Sequence, residues 1–256
     1  MGFLNLPLLY LDYIKPQRLR FDVVGNAVSG GRNMLGQEVS YEMTGGGFLS
    51  CTYGGLWVQR REEHEYITWL AAYLNGSFRA IDVPLKTDWQ GPFPVYDRVP
   101  APFATGIPHS DGSLFSDGSG YSQATVWGKV VSAAPLRSGT LRLRIYDAAR
   151  ALRWSDWFSI YHDGNGDLSM GWRSYRNWNI LTEHGSGNET IDGTSFPYRE
   201  YTLAIQPTLR EAVAAGQRIE FARPRVASKL MPGTNVLSDV EGFWLSRPTL
   251  EFTEAF

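Results

Sequence analysis

Hydrophobic and polar positions alternate along successive segments near the start of the chain, and the period then changes. Leu19, Phe21 and Val23 alternate with Arg18, Arg20 and Asp22; Val39, Tyr41 and Met43 alternate with Glu38, Ser40 and Glu42. A period of two is what a strand shows when it buries one face and wets the other. Arg18–Val24, Gln37–Thr44 and Phe48–Val58 are therefore predicted as strands. From Arg61 to Leu74, Ile67, Leu70, Ala71 and Leu74 fall at i, i+3, i+4 and i+7, which predicts one amphipathic helix. Glu62, Glu63 and Glu65 suit its positive N-terminal end, and Asn75–Gly76 supply the stop. Its face of Ile67, Leu70 and Leu74 is expected to pack on the first sheet, where Leu19, Phe21, Val39 and Tyr41 are offered. Phe78–Val83 is again extended and Pro84 closes it.

The texture changes from Lys86 to Gly120. Pro92, Pro94, Pro100, Pro102 and Pro108 stand among aromatic and small residues, and His109–Gly112 and Ser116–Gly120 have turn chemistry. This stretch is too long for an ordinary loop and reads as a linker or a functional excursion. Short strands resume beyond it. Leu141, Leu143 and Ile145 alternate with Thr140, Arg142 and Arg144, and Trp157–Tyr161 and Trp172–Glu183 flank a hairpin turn at Asp163–Asp167. Glu200–Gln206, Arg218–Phe221, Val226–Met231, Gly242–Ser246 and Thr249–Thr253 are further strands, with Thr208–Ala215 a helical turn or an irregular crossover. Short strands at this spacing suggest a small antiparallel barrel or sandwich. No internal repeat or low-complexity tract stands out.

At 256 residues the chain can fill one large or two ordinary domains, and its abundant Gly and aromatic residues suit many strands joined by tight turns. A net charge of −2 implies no bulk attraction to nucleic acid or anionic membrane. With Cys51 as the sole cysteine, no intramolecular disulfide can form. No apolar run approaches the roughly 18–20 residues of a spanning helix. Met1–Ile14 is apolar but lacks a basic start, and Pro7 and Asp12 interrupt it, so it reads as a buried or partner-docked arm rather than a signal peptide. The tripeptides at Asn75 and Asn188 match the glycosylation sequon and carry little weight outside a secretory context.

Candidate chemistry is thin. Asp163, Asn165 and Asp167 offer oxygens at alternate positions like the first half of a calcium loop, but Leu168 stands where the Gly belongs and Ser174 where the bidentate Glu belongs. A hairpin turn accounts for the same residues. His64, His109, His162 and His184 are scattered and share no zinc-like spacing with each other or with Cys51, which sits in an apolar alternating run. Gly30–Gly31 and Gly45–Gly47 lack the Lys-Ser/Thr ending of a phosphate loop and read as sites of positive φ or close backbone approach. Gly118-Ser-Gly120 and Gly185-Ser-Gly187 lack the strand-to-helix context of a nucleophile elbow. Asp82 with Asp88, or Asp156 with Asp163, could line a sugar cleft, with Trp154, Trp157, Trp172 and Trp178 as platforms, yet nothing fixes two carboxyls at a catalytic separation. No catalytic residue, metal ligand or cofactor-binding residue is assigned.

Several stretches resemble one family. Arg18–Arg32, the Gly-rich strand leading to Gly55-Leu56-Trp57 with the helix after it, and Arg79–Pro84 resemble the opening of tail-tip structural proteins of long-tailed bacteriophages. Ser155–Ile160 looks like that family's G-D-aromatic-x-I strand with Ser155 for the usual Gly. Ile205–Arg210 resembles its x-P-x-L-R signature, Phe221–Pro224 the turn that follows, and Leu250–Ala255 its close. Within the family the similarity is to distal tail proteins. The resemblance implies a tail-tube-like β-sandwich with one packed α-helix that forms a ring, plus a small inserted antiparallel, OB-like β-barrel displayed outside it. On this basis residues 1–95 and 225–256 form the ring domain, 96–120 a Pro/Gly-rich connector and 121–224 the barrel. The implied partners are other copies of the chain in a hexamer, the tail tube protein, the tail hub and fibres, with DNA only passing through the lumen and no membrane insertion. The implied location is the virion tail tip, after synthesis in the host cytoplasm. The segment Gly25–Gly36 reads as a long loop that reaches a neighbour. A carbohydrate- or receptor-binding tail component, and a glycan-cleaving enzyme, are the competing readings.

Overall fold

The computed structural model describes residues 6–25, 27–42, 46–85, 91–164, 170–234, 236, 240–242 and 244–256. The protein is mainly β. In chain order its elements are α1 (Leu11–Ile14), β1 (Arg18–Val24), β2 (Ala27–Arg32), β3 (Glu38–Glu42), β4 (Phe48–Gly54), α2 (Arg61–Leu74), β5 (Ile81–Pro84), β6 (Val95–Tyr96), β7 (Val99–Pro100), β8 (Phe103–Ile107) and β9 (Tyr121–Ala124). Then come β10 (Trp127–Val130), β11 (Thr140–Tyr146), β12 (Trp157–His162), β13 (Gly171–Ile191), β14 (Thr194–Gln206), β15 (Arg218–Glu220), β16 (Arg225–Leu230), β17 (Val240–Glu241), β18 (Leu245–Ser246) and β19 (Leu250–Glu254). Among the described residues no helix is long and apolar enough to cross a membrane. The chain divides into two compact units: Met1–Leu85 with His162–Arg173 and Arg225–Phe256, and Lys86–Tyr161 with Ser174–Pro224.

The first unit is organised on a five-stranded antiparallel sheet in the order β1-β4-β19-β16-β5. Alternation along β4 buries Leu49, Cys51 and Tyr53, and along β19 it buries Leu250, Phe252 and Glu254. Cys51 lies in register with Phe21 on one side and Phe252 on the other. The N-terminal segment covers the β5 edge: the Leu9 N–H donates to the Asp82 carbonyl at 2.8 Å, and the Asp82 N–H donates to the Pro7 carbonyl at 2.9 Å. Leu9 and Ile14 are buried, as an arm docked on its own chain requires, and Leu11–Ile14 adds a short helix that the sequence pattern did not signal.

Helix α2 occupies the predicted residues and buries Ile67, Leu70 and Leu74. Glu63 accepts hydrogen bonds from the backbone N–H groups of Gln59 (2.8 Å) and Arg60 (3.0 Å), which satisfies donors that a helix start leaves open. At the other end Asn75 takes φ 45° and its N–H closes on the Ala71 carbonyl. Two expectations near this helix need correction. Val39 and Tyr41 are 39% and 61% exposed, so they cannot cover its apolar face. Gly25–Gly36 is no loop, because Ala27–Arg32 forms β2 and pairs with β3 as a two-stranded hairpin outside the five-stranded sheet. Met43–Gly45 lie outside the described residues; Gly46 and Gly47 both take φ 85°, and a Cβ on Gly47 would lie 2.2 Å from the Val24 carbonyl oxygen.

The second unit is built on a closed antiparallel barrel in the order β10-β11-β14-β13-β12-β15. Leu141, Leu143 and Ile145 of β11 point to a core shared with Phe158, Ile160, Tyr175, Leu203, Ile219 and Phe221, while Arg142 and Arg144 stay on the outer face. Thr208–Ala215 is irregular, with no helical turn. The strands predicted to end at Glu183 and begin at Glu200 are much longer: β13 and β14 run on to a tight turn at Asp192–Gly193, where φ is 49° and 79°. Positive φ at both central residues is the geometry that suits a two-residue hairpin, and Ile-Asp-Gly-Thr is its sequence signal. The other predicted turn, Asp163–Asp167, lies mostly outside the described residues.

Candidate functional site

The β2–β3 hairpin is the most unusual surface on the first unit. All six β2 residues are exposed, and Met34 and Leu35 at its tip are 106% and 84% exposed. Val28, Val39 and Tyr41 add further exposed apolar groups. Its shape is nonetheless fixed locally. Asn33 Oδ1 accepts from the Leu35 N–H (3.0 Å) and the Gln37 N–H (2.9 Å), and the Asn33 N–H donates to the Gln37 carbonyl. Ser29 donates to Glu38 at 2.9 Å across the strands. Gly30 gives room for the Tyr41 ring, since a Cβ there would sit 2.5 Å from it. An isolated hairpin is marginal in water, and this one holds an apolar tip in solvent.

A second exposed apolar surface runs along α2. Tyr66, Trp69 and Tyr73 stack in sequence at 5.5 and 5.3 Å between ring centroids, and Tyr13 stacks on Tyr66 at 5.2 Å. Arg79 caps the ladder over Tyr73. Aromatics at i, i+3 and i+7 are its signal in the sequence, beside the apolar stripe that α2 buries.

Of the carboxylates that could line a sugar cleft, Asp82 and Asp156 are both buried. Asp82 is buried in β5, with Oδ1 lacking a hydrogen-bond partner. Burial pushes its carboxyl up to about 6, against the opposing pull of the Arg225 and Arg173 guanidinium groups. Asp156 accepts from Arg150 at 2.7 and 2.9 Å and from the Arg153 N–H at 2.7 Å, an arrangement that holds a loop. Asp88, Asn165 and Asp167 lie outside the described residues. Trp157 is buried, Trp172 carries Arg225 over its ring, and Trp154 and Trp178 are exposed. Cys51 is fully buried and burial, reinforced by Glu254, drives its thiol far up, which disfavours a thiolate. His64 bonds the Trp244 carbonyl, His184 bonds Thr202, and His162 is buried. Among the described residues no three His, Cys, Asp or Glu side chains converge as metal ligands would.

The Pro-rich stretch holds a feature that contradicts the reading of no internal repeat. His109-Ser-Asp-Gly-Ser113 and Phe115-Ser-Asp-Gly-Ser119 fold alike: the first N–H of each donates to the last carbonyl at 2.8 Å, and each Asp accepts from the Ser N–H at 2.9 Å. The rings of His109, Phe115 and Tyr121 pack edge to face. An aromatic residue followed by Ser-Asp-Gly-Ser, twice at a spacing of six, was the available signal. The chain matches no family model and no curated protein.

Proposed function

We propose that this chain is a structural protein of a phage tail tip, of the distal-tail-protein kind, which closes head to tail into a six-fold ring. In this reading the ring joins the tail tube to the hub and fibres and leaves a lumen for DNA, and no catalytic step or cofactor is involved. The observation that carries it is the β2–β3 hairpin, a locally rigid arm with Met34 and Leu35 in solvent. A heterologous contact that closes on itself gives such an arm a surface in the next copy without leaving an open filament. The five-stranded sheet would then be one layer of a tail-tube-like sandwich, and the barrel an OB-like insertion between β5 and β16. The phage assignment itself rests on the sequence resemblance.

Negative-stain imaging and sedimentation of the purified chain test this. Rings of six protomers are expected, and Met34→Asp/Leu35→Asp should give monomers with the wild-type near-UV circular dichroism, because both side chains face water in the single chain, and with a midpoint that no longer rises with protein concentration. A wild-type chain that stays monomeric at all concentrations, or a variant that assembles as before, would overturn the proposal.

A further inference from the structure

The two faces of the projecting β13–β14 hairpin differ, and the register says how. Residues opposite one another on paired strands share a face. Gly187, Glu189, Phe196, Tyr198 and Glu200 fall on the barrel's outer face with Arg144 and Tyr146; Ser186, Asn188, Pro197 and Arg199 continue the inner face, in line with the buried Ile145. Pairing with β11 stops at Tyr146↔Tyr198, where Asp147 turns away with φ 55° while its N–H stays bonded to the Pro197 carbonyl. The inner face therefore runs past the end of the barrel and becomes the wall of a cup. A cavity of about 490 Å³ lies there, lined by Ile145, Asp147, Ala148, Ser186, Asn188 and Arg199 among others.

The site is an open cleft, with Ser186, Asn188 and Pro197 exposed in its wall, and barrel mouths are a preferred place for ligand sites. The lining is mixed in a telling way. Ala148 and Pro197 provide a small apolar floor, with Ile145 buried beneath it. Asp147 offers a carboxylate that accepts, Arg199 a guanidinium that donates, and Ser186 and Asn188 groups that do both. The side chains of Asp147, Ser186 and Asn188 make no hydrogen bond to any described residue. Burial raises the Asp147 carboxyl above its ordinary value, which marks a group held partly out of water. The wall is also braced from behind: on the outer face Glu189 binds Lys129, Arg144 and Tyr146, and Glu200 binds Arg142 and Arg144. Such bracing presets the wall before a ligand arrives.

We infer that the barrel mouth is a binding site for a neutral, polyhydroxylated ligand of sugar-ring size. One carboxylate against one guanidinium leaves no net charge to select an ion. A pyranose presents hydroxyls that donate to Asp147 and accept from Asn188 and Arg199, and a C–H face for the apolar floor. Phosphate and polyanions would meet the Asp147 carboxylate, and an apolar ligand would strand it. The inference does not rest on ring assembly, which uses residues of the first unit.

Saturation-transfer NMR on the full-length chain with glucose, galactose, mannose, rhamnose and N-acetylglucosamine as probes, and glycine as a zwitterionic control, tests it. At least one sugar should receive saturation at millimolar concentration. Asp147→Asn, which tolerates the same positive φ, and Asn188→Ala should each weaken that binding about tenfold, roughly one hydrogen bond, with the unfolding midpoint unchanged. Trp154→Ala should leave it intact. Transfer to no sugar, transfer to glycine alone, binding unaltered in both pocket variants, or loss in Trp154→Ala instead would each overturn the assignment.

Discussion

Single carboxylates in this protein show how far position outweighs residue type. Glu63 and Asp82 are both buried in the first unit, and they titrate in opposite directions. Burial alone would raise Glu63, but two backbone N–H groups and the Lys15 ammonium outweigh it and hold the carboxyl at about 2. Asp82 has no such donors at Oδ1, so burial wins and the carboxyl sits at about 6. The signs follow from linkage. Glu63 contributes stability above its ordinary value of 4.5, lost as pH falls toward 2. Asp82 contributes stability that is complete below 3.8 and lost as pH rises through 6. Between pH 7.5 and 5, the wild-type chain should therefore gain about 1–2 kcal/mol in unfolding free energy relative to Asp82→Asn, as part of about 3 kcal/mol over the whole window. Denaturant titrations of both proteins across that range check it; parallel pH profiles would show that the two arginines neutralise Asp82 after all.

At the scale of elements, helix α2 and the β13–β14 hairpin are stabilised by different means. The helix depends on apolar burial: Leu70 is fully buried, and Leu70→Ala should cost about 2–5 kcal/mol by denaturant unfolding. A loss below about 0.5 kcal/mol would mean the site collapses freely or is not enclosed. The projecting hairpin has outgrown the barrel core and depends on charge. Lys129, Tyr146 and Arg144 together hold the Glu189 carboxyl at about 2. Since that group keeps about a quarter of its exposure, Glu189→Gln should cost only about 1–2 kcal/mol, and less in high salt. Thermal unfolding at two ionic strengths measures this, and a loss independent of salt would point to packing instead.

At the scale of the molecule, strands β16 and β19 from the end of the chain sit among β1, β4 and β5 from its beginning, and the closed barrel is made from what lies between. Much of the local plan is set by neighbouring residues. The strand at Arg18–Val24, the helix at Arg61–Leu74 and the alternation of Leu141, Leu143 and Ile145 were legible because a buried face imposes its period on a few neighbouring residues. The sequence also places the helix stop at Asn75–Gly76, a matter of local backbone sterics. What each face meets depends on the rest of the fold. Val39 and Tyr41 alternate as well as Leu19 and Phe21 do, yet their strand leaves the sheet and stands in solvent, because alternation records a face and not its partner. Asp82 and Asp156 read alike as candidates for a cleft, yet Asp82 is buried in the sheet beside the distant Arg225 and Arg173, whereas Asp156 is held by Arg150 and the Arg153 N–H of its own loop. The barrel-mouth cup joins the end of β11 to a wall far along the chain, where each contributing residue is unremarkable in its own segment. Pairing across such distances is settled by the free energy of the whole fold, which a window of a dozen residues does not contain.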